Sequence, residues 1–277
     1  MAHRMGNVRE KTMTRGVLLF AFNNDKVDYY AMAIATAKRA NKFLNLPVTV
    51  VTDNTTDLSK YTYEFDNVMI VEADRNNLNA FNEVWINKGR FQAYDLSPYD
   101  ETLLLDTDYL INSDKLLKPF KLYDDFMCHN RTSFLMTPTH GQELISEHSY
   151  PTLWATVIYF KKTEKAKQIF ECMEMIQKNY NHYTQLYNMT VGNYRNDFSL
   201  TISLRIVCGQ TEDYKHYIPW NLVHVGKNTQ VYKDTDTSYT VMYDNWQRGK
   251  IRKEYCTVTD MDFHMMNKEN FMELVNE

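Results

Sequence analysis

Two carboxylates at the close of an apolar run are the first place where this sequence suggests chemistry. In Glu101-Thr-Leu-Leu-Leu-Asp-Thr-Asp-Tyr-Leu-Ile, Asp106 and Asp108 follow three leucines and precede Tyr109, Leu110 and Ile111. Charge withdrawn from water is costly unless a partner meets it, so the pair calls for a cation. Hard oxygen ligands suit Mg2+ or Mn2+, and a diphosphate can complete the coordination. The blander reading is a turn capped by Asp106, with Asp108 paired to a surface lysine. Spacing alone decides little, because Asp234/Asp236 and Asp260/Asp262 repeat it. The pair Asp234/Asp236 stands in the polar string Lys-Asp-Thr-Asp-Thr-Ser and reads as solvated loop.

A scaffold must deliver the pair, and the first half of the chain supplies one. Gly16 to Phe22, GVLLFAF, reads as a buried strand that ends at Asn23-Asn24-Asp25. Tyr30, Ala33, Ile34, Ala37 and Leu44 recur at helical spacing, which predicts a helix over Val27 to Phe43. Pro47 to Thr52 is a second buried strand stopping at Asp53, Asn67 to Val71 a third, and Thr102 to Leu105 another, with a helix over Trp85 to Asp95 before it. Thr156 to Phe160 reads as a strand leading to Thr163, the N-cap of a helix with Ala166, Ile169, Phe170, Met173 and Ile176 on its apolar face. Phe198 to Val207 is a further helical run, for which Asn196-Asp197 reads as the N-cap. Beyond about Lys215 the pattern is irregular and reads as a tail wrapping the domain. Alternating strands and helices predict an α/β class with a mostly parallel sheet. Ligands bind outside the carboxyl ends of such strands, so Asn23, Asn24, Asp53 and Asp106 are expected along one edge.

In its order of features, the chain resembles the glycogenin and lipopolysaccharide galactosyltransferase group. The likeness rests on the leucine-rich strand with Asp106 and Asp108, on Trp154-Ala-Thr-Val-Ile-Tyr-Phe-Lys-Lys-Thr, on Arg195-Asn-Asp-Phe, on Ile218-Pro-Trp-Asn and on Asp262-Phe-His-Met-Met-Asn-Lys. It spans Gly16 to about Asn270. Where the family carries glycines in the acceptor strand and the terminal segment, Thr156 and Met266 stand nearby. The resemblance implies a GT-A (Rossmann-like) fold, a mixed, mostly parallel sheet flanked by helices. It implies 1–15 as an extension, 16–112 as a nucleotide-binding half and 113–277 as the acceptor half. It also implies a metal-dependent glycosyltransferase that moves a sugar from a nucleotide diphosphate donor, with UDP as the nucleotide and retained anomeric configuration. By the same likeness Asp106, Asp108 and His264 hold Mn2+ or Mg2+, and Lys268 grips the diphosphate from a helical turn shared with His264. Lys88 and Arg90 sit where donor-binding basic residues do. Asn196 and Asp197 face the reacting carbon, Asp197 as acceptor contact or general base. Tyr29 or Tyr30 is offered for stacking on the base, with Asn24 and Asp53 for its hydrogen bonds; one tyrosine of the two reads as core.

Composition bounds the partners. The net charge of −4 argues against a surface uniformly attractive to nucleic acid, although a local basic patch is allowed. One such patch is Asn245-Trp-Gln-Arg-Gly-Lys-Ile-Arg-Lys-Glu-Tyr, four basic residues among two aromatics, which suits tracking phosphates while stacking bases. With Arg4, Arg9, Lys11 and Arg15 it reads as a possible nucleic-acid rim, and equally as a solvated loop or a clamp on the donor. Four dispersed cysteines lack metal-site spacing and read as free thiols. No apolar run approaches a membrane span, and Met1 to Arg15 lacks a signal-peptide core, which predicts a cytoplasmic protein. The Met-, Tyr- and Asn-rich, Gly-poor composition is similar to that of tailed-phage proteins. Since such phages encode enzymes that glycosylate hydroxymethylcytosine in DNA, the likeness implies a modified DNA base as first acceptor, with a saccharide or protein hydroxyl as the rival. A nucleotidyltransferase would carry a Gly-rich loop after the first strand, where this chain has Asn23-Asn24-Asp25; a fold that binds without catalysis is the other competing reading.

Overall fold

A computed structural model describes residues 13–73, 89–122, 124–135, 137–141, 143–147, 149–189, 194–209, 217–247 and 249–276. The chain begins β1 (Arg15–Phe20), α1 (Tyr29–Leu44), β2 (Val48–Asp53), β3 (Asn67–Val71), α2 (Ala93–Leu96) and β4 (Glu101–Leu105). It continues with β5 (Tyr109–Leu110), β6 (Phe126–His129), β7 (Thr132–Phe134), β8 (Thr137–Gly141), β9 (Trp154–Lys161), α3 (Glu164–Lys178), α4 (Tyr180–Leu186) and α5 (Asn196–Cys208). The last elements are β10 (Leu222–Val225), β11 (Gln230–Lys233), β12 (Ser238–Gln247), β13 (Lys250–Thr259), β14 (Phe263–Met265) and α6 (Lys268–Asn276).

The central sheet has the order β3-β2-β1-β4-β9-β6, parallel from β3 to β4 and antiparallel at β4–β9 and β9–β6. Every residue of β2 and β4 is buried, as strands covered on both faces require. On one face α1 packs over Val17, Leu19, Val50 and Leu103. The other face is covered by α3 and α5 on Leu18, Leu104, Ile158 and Phe160. The carboxylate of Asp28 caps α1 through Ala31 N at 2.9 Å, and Asn45 ends the helix in the left-handed region at φ 52°. Thr163 caps α3, whose expected apolar face is buried throughout.

Several expectations need correction. The region after Lys215 is not an irregular wrap where it is described. Its strands β10 and β14 join β5, β7 and β8 in a second sheet, and β11–β13 form a third, antiparallel one. These strands are short or half-exposed, so their apolar alternation is weak. Within the helix expected over Trp85 to Asp95, residues 85–88 lie outside the described region, and a 3-10 turn at Gly89–Gln92 precedes the four-residue α2. Asn196 is the first residue of α5 rather than its cap; Arg195 is the cap. The four cysteines are unpaired. Among the described residues, no helix is long and apolar enough to cross a membrane.

Candidate metal and diphosphate site

The strand order 3-2-1-4 places a crevice beyond the carboxyl ends of β1 and β4, where successive strands run to opposite sides. A cleft of about 250 Å³ lies there, with Phe20 and Phe22 at the end of β1 on one side and Asp106, Thr107 and Asp108 after β4 on the other. Backbone bonds fix the turn: Asp106 N donates to Thr156 O at 3.0 Å, Tyr109 N donates to Asp106 O at 3.2 Å, and Thr36 Oγ1 donates to Thr107 O at 2.7 Å.

The second sheet brings in the remaining groups. Strand β14 lies antiparallel to β5, with His264 opposite Tyr109, and Met265 N donates to Asp108 O at 2.9 Å. His264 Nε2 thereby stands 3.1 Å from Asp108 Oδ1 and 4.0 Å from Asp106 Oδ2. One ligand atom from each of Asp106, Asp108 and His264 lies within 4.8 Å of the other two. Two carboxylate oxygens and an imidazole nitrogen on the wall of a cleft fit a hard or borderline divalent cation.

Lys268 Nζ donates to Asp108 Oδ2 at 3.0 Å, with its ammonium 4.7 Å from the centre of the Tyr29 ring. It opens α6 instead of sharing a helical face with His264, which belongs to β14. A cation is disfavoured at a helix N-terminus, and Asp108 offsets that. Arg90, only 3% exposed, donates to Asp106 Oδ1 and reaches Thr156 O at 3.4 Å. Burial alone would raise the Asp108 pKa, but His264 and Lys268 outweigh it and hold the carboxyl far below its ordinary range. Burial pushes His264 down, whereas Asp108 and Asp106 more than restore it, so its pKa is raised; Lys268 is raised for the same reason. A cation held there would need the Nε2 lone pair of His264, in competition with its proton. Lys268 and Arg90 set two permanent positive charges against the two carboxylates.

This chain is similar to glycosyltransferases of known structure. Its sequence matches no family model and no curated protein. Among solved structures it is similar to the galactosyltransferase LgtC in complex with donor and acceptor sugar analogues, at 15% identity and TM-score 0.44, over 68% of this chain and 70% of that one. It is also similar to the glycosyltransferase GlyE of Streptococcus pneumoniae TIGR4, at 13% identity and TM-score 0.40, over 74% of this chain and 44% of that one. Mouse xyloside xylosyltransferase 1 aligns at 10% identity and TM-score 0.43, over 69% and 82%.

The other expected site residues divide. Lys88 lies outside the described residues. Tyr29 lines the cleft, whereas Tyr30 is 3% exposed and packs against Tyr61 and Phe65 in the core, so it is not the stacking ring. Asn24 Oδ1 accepts from Lys26 N at 2.9 Å and Val27 N at 2.8 Å, shaping the turn into α1. Asp53 closes β2 and accepts from Thr55 Oγ1 at 2.7 Å. Neither lines the cleft beside Asp106. Asp197 Oδ1 accepts from Ala155 N at 2.9 Å, and its Oδ2 pairs with Arg195 at 2.9 Å. It is therefore one residue along β9 from the Thr156 carbonyl that Asp106 and Arg90 share. Asn196 Oδ1 accepts from Tyr194 Oη at 3.2 Å in a buried setting. The pair Asp234/Asp236 is not free loop: Asp236 pairs with Lys42 and Arg39 on α1. Asp262 accepts from Asn112 N at 2.6 Å, a buried structural role. Arg15 bonds Glu101 at 2.6 Å at the amino end of β1 and β4. It stands roughly 16 Å along the strands from the cleft, so it cannot join a rim there; Arg4, Arg9 and Lys11 are outside the described residues. Sequence reasoning missed Lys227 and Met266 in the cleft, and His224, which pairs across the strands with His264. A polar residue interrupting Leu222-Val223-His224-Val225 was the available signal for the last.

Proposed function

We propose that this protein is a metal-dependent glycosyltransferase that moves a sugar from a nucleotide diphosphate sugar, UDP being the expected nucleotide, to a hydroxyl acceptor with retention. The observation that carries the reading is the convergence of Asp106, Asp108 and His264 with Lys268 and Arg90 at the β1/β4 crevice. Mn2+ or Mg2+ there supplies electrostatic stabilisation of a departing diphosphate. The chain's own residues do the rest. Asp106, Asp108 and His264 hold the cation, while Lys268 and Arg90 place positive charge against the phosphates, Arg90 through a planar donor fork. Tyr29 forms a wall for the nucleoside in place of Tyr30, and Phe20 and Phe22 keep water from that side. The bond from the anomeric carbon to the diphosphate oxygen breaks, a bond to the acceptor oxygen forms, and the acceptor proton leaves with the help of Asp197 or the departing phosphate. The acceptor offers a hydroxyl. Hydroxymethylcytosine in DNA is one candidate, favoured by exposed Lys250 and Arg252 on the β12–β13 hairpin; a saccharide or protein hydroxyl is the other.

Release of UDP from a panel of UDP-sugars, with Mn2+ and with chelator, tests the reading. Turnover is expected only with metal, falling on the order of 10³-fold in D106N and D108N, as the loss of several kcal/mol of charge stabilisation requires. No metal-dependent turnover of any nucleotide sugar would end it.

A further inference from the structure

A cavity between the end of β6 and the start of β10 shares no lining residue with the cation cleft. Ile218 N donates to Cys128 O at 2.8 Å and Leu222 N donates to Arg131 O at 2.9 Å. Residues 217–221 are thus pinned at both ends against the connection 130–131 between β6 and β7, and the space they enclose is about 230 Å³. Asn221, which lines it, precedes β10, whereas Lys227 of the cation cleft follows the other end of that strand. The length of β10, roughly 10 Å, therefore separates the two. Behind the Trp220 wall lies His129, wholly buried, its ring centre 6.2 Å from that of Trp220 and neither nitrogen partnered among the described residues. A buried polar group of this kind is ordinarily satisfied by something, and here the protein does not supply it.

The charges around this cavity are of one sign. Arg131 lines it and no acid does. Two more cations stand at the Trp220 wall, Lys115 Nζ at 4.9 Å and Lys118 Nζ at 5.8 Å from the ring centre. Lys115 opens one 3-10 turn and Lys118 precedes the next, so short rigid turns hold both. Among the described residues none of the three side chains is in an ion pair. Burial lowers the Lys115 pKa; Asp262 opposes that and Lys118 adds to it. Asp262 is itself held by Asn112 N at 2.6 Å and Ser113 Oγ at 3.1 Å. An oxyanion relieves the crowding of like charges, and a phosphate suits the guanidinium fork. Asn130 and Asn221 offer amides, and Ile218 and Pro219 an apolar edge, to whatever the phosphate carries. We propose that this cavity binds a phosphate group outside the transfer cleft, with Arg131, Lys115 and Lys118 meeting its oxygens. The site stands whether or not the chain transfers sugar.

The test is calorimetric titration of the full chain with inorganic phosphate and, separately, with AMP, in chelator so that no metal recruits either probe to Asp106 and Asp108. Saturable binding is expected, weakened about tenfold in R131Q and in K118Q, as loss of one charge-assisted hydrogen bond requires. In Lys268→Met, which removes a cation from the transfer cleft, it should move less than about twofold. Equal affinity for the two probes makes the phosphate group the whole ligand; tighter AMP binding shows that the ester's organic part is held too. Arg131 and Lys118 are both exposed, so their replacement leaves the fold intact, and an unchanged thermal midpoint checks this. Binding of neither probe, affinity unchanged in both R131Q and K118Q, or affinity lost in Lys268→Met but kept in R131Q overturns the site.

Discussion

Replacing Lys268 by methionine separates two effects that ordinary loss of function would merge. Lys268 Nζ is 3.0 Å from Asp108 Oδ2, and its ammonium rests 4.7 Å from the Tyr29 ring centre. Methionine keeps an apolar stem against Tyr29 and removes the charge. A charge-assisted hydrogen bond contributes about 1.5–3 kcal/mol, so Lys268→Met frees Asp108 of a competitor for the metal worth that much. Mn2+ alone is then expected to bind roughly 10- to 100-fold more tightly. The diphosphate loses the same class of contact, so UDP binding at saturating Mn2+ is expected to weaken by a similar factor. Titration calorimetry of Mn2+ alone, and then of UDP at saturating Mn2+, reads both arms. The reasoning is refuted if both affinities fall together or neither moves, since each outcome means that Lys268 does not stand between Asp108 and the phosphates.

Two further predictions concern the scaffold. His129 in β6 is wholly buried, neither ring nitrogen has a hydrogen-bond partner among the described residues, and burial with nearby Lys115 lowers its pKa to about 3. A depressed histidine contributes stability that is present above its unfolded pKa near 6.5 and is lost as pH falls towards 3, so unfolding in urea at pH 5 against pH 7 should show about 2 kcal/mol of loss from this residue; H129F should remove that part of the slope, and an identical slope in both proteins refutes it. Gly16 in β1 lies under the Tyr99 ring, which a Cβ would overlap; G16A is expected to cost about 3 kcal/mol in urea unfolding, partly restored in G16A/Y99L, with an unchanged midpoint refuting the packing argument.

What was legible in the sequence follows from how completely each segment is buried. Strands β1, β2 and β4 are covered on both faces and read as runs rich in Val, Leu and Thr, so their bounds were within two residues of those expected. The Thr163 cap and the face of α3 were equally plain. The Asp106/Asp108 pair was picked out by its leucine flank and lies beside His264 and Lys268. The second and third sheets were missed because β7, β11 and β13 carry exposed residues that dilute the two-residue alternation. Tyr29 and Tyr30 stayed alternatives because helical spacing cannot say which of two adjacent rings turns inward, and His224 was missed because register across β10 and β14 is a property of pairing rather than of either strand.

Asp108 and Lys268 are 160 positions apart, and β14 reaches them only by pairing with β5 and β10. During synthesis the carboxylates therefore emerge long before the histidine and ammonium that neutralise them. Asp106 can meet Arg90 from the preceding segment, whereas Asp108 meets His264 and Lys268 only once β14 packs on β5 and α6 follows it. A product clipped before β14 would therefore lack His264 and Lys268 and leave Asp108 without these two partners.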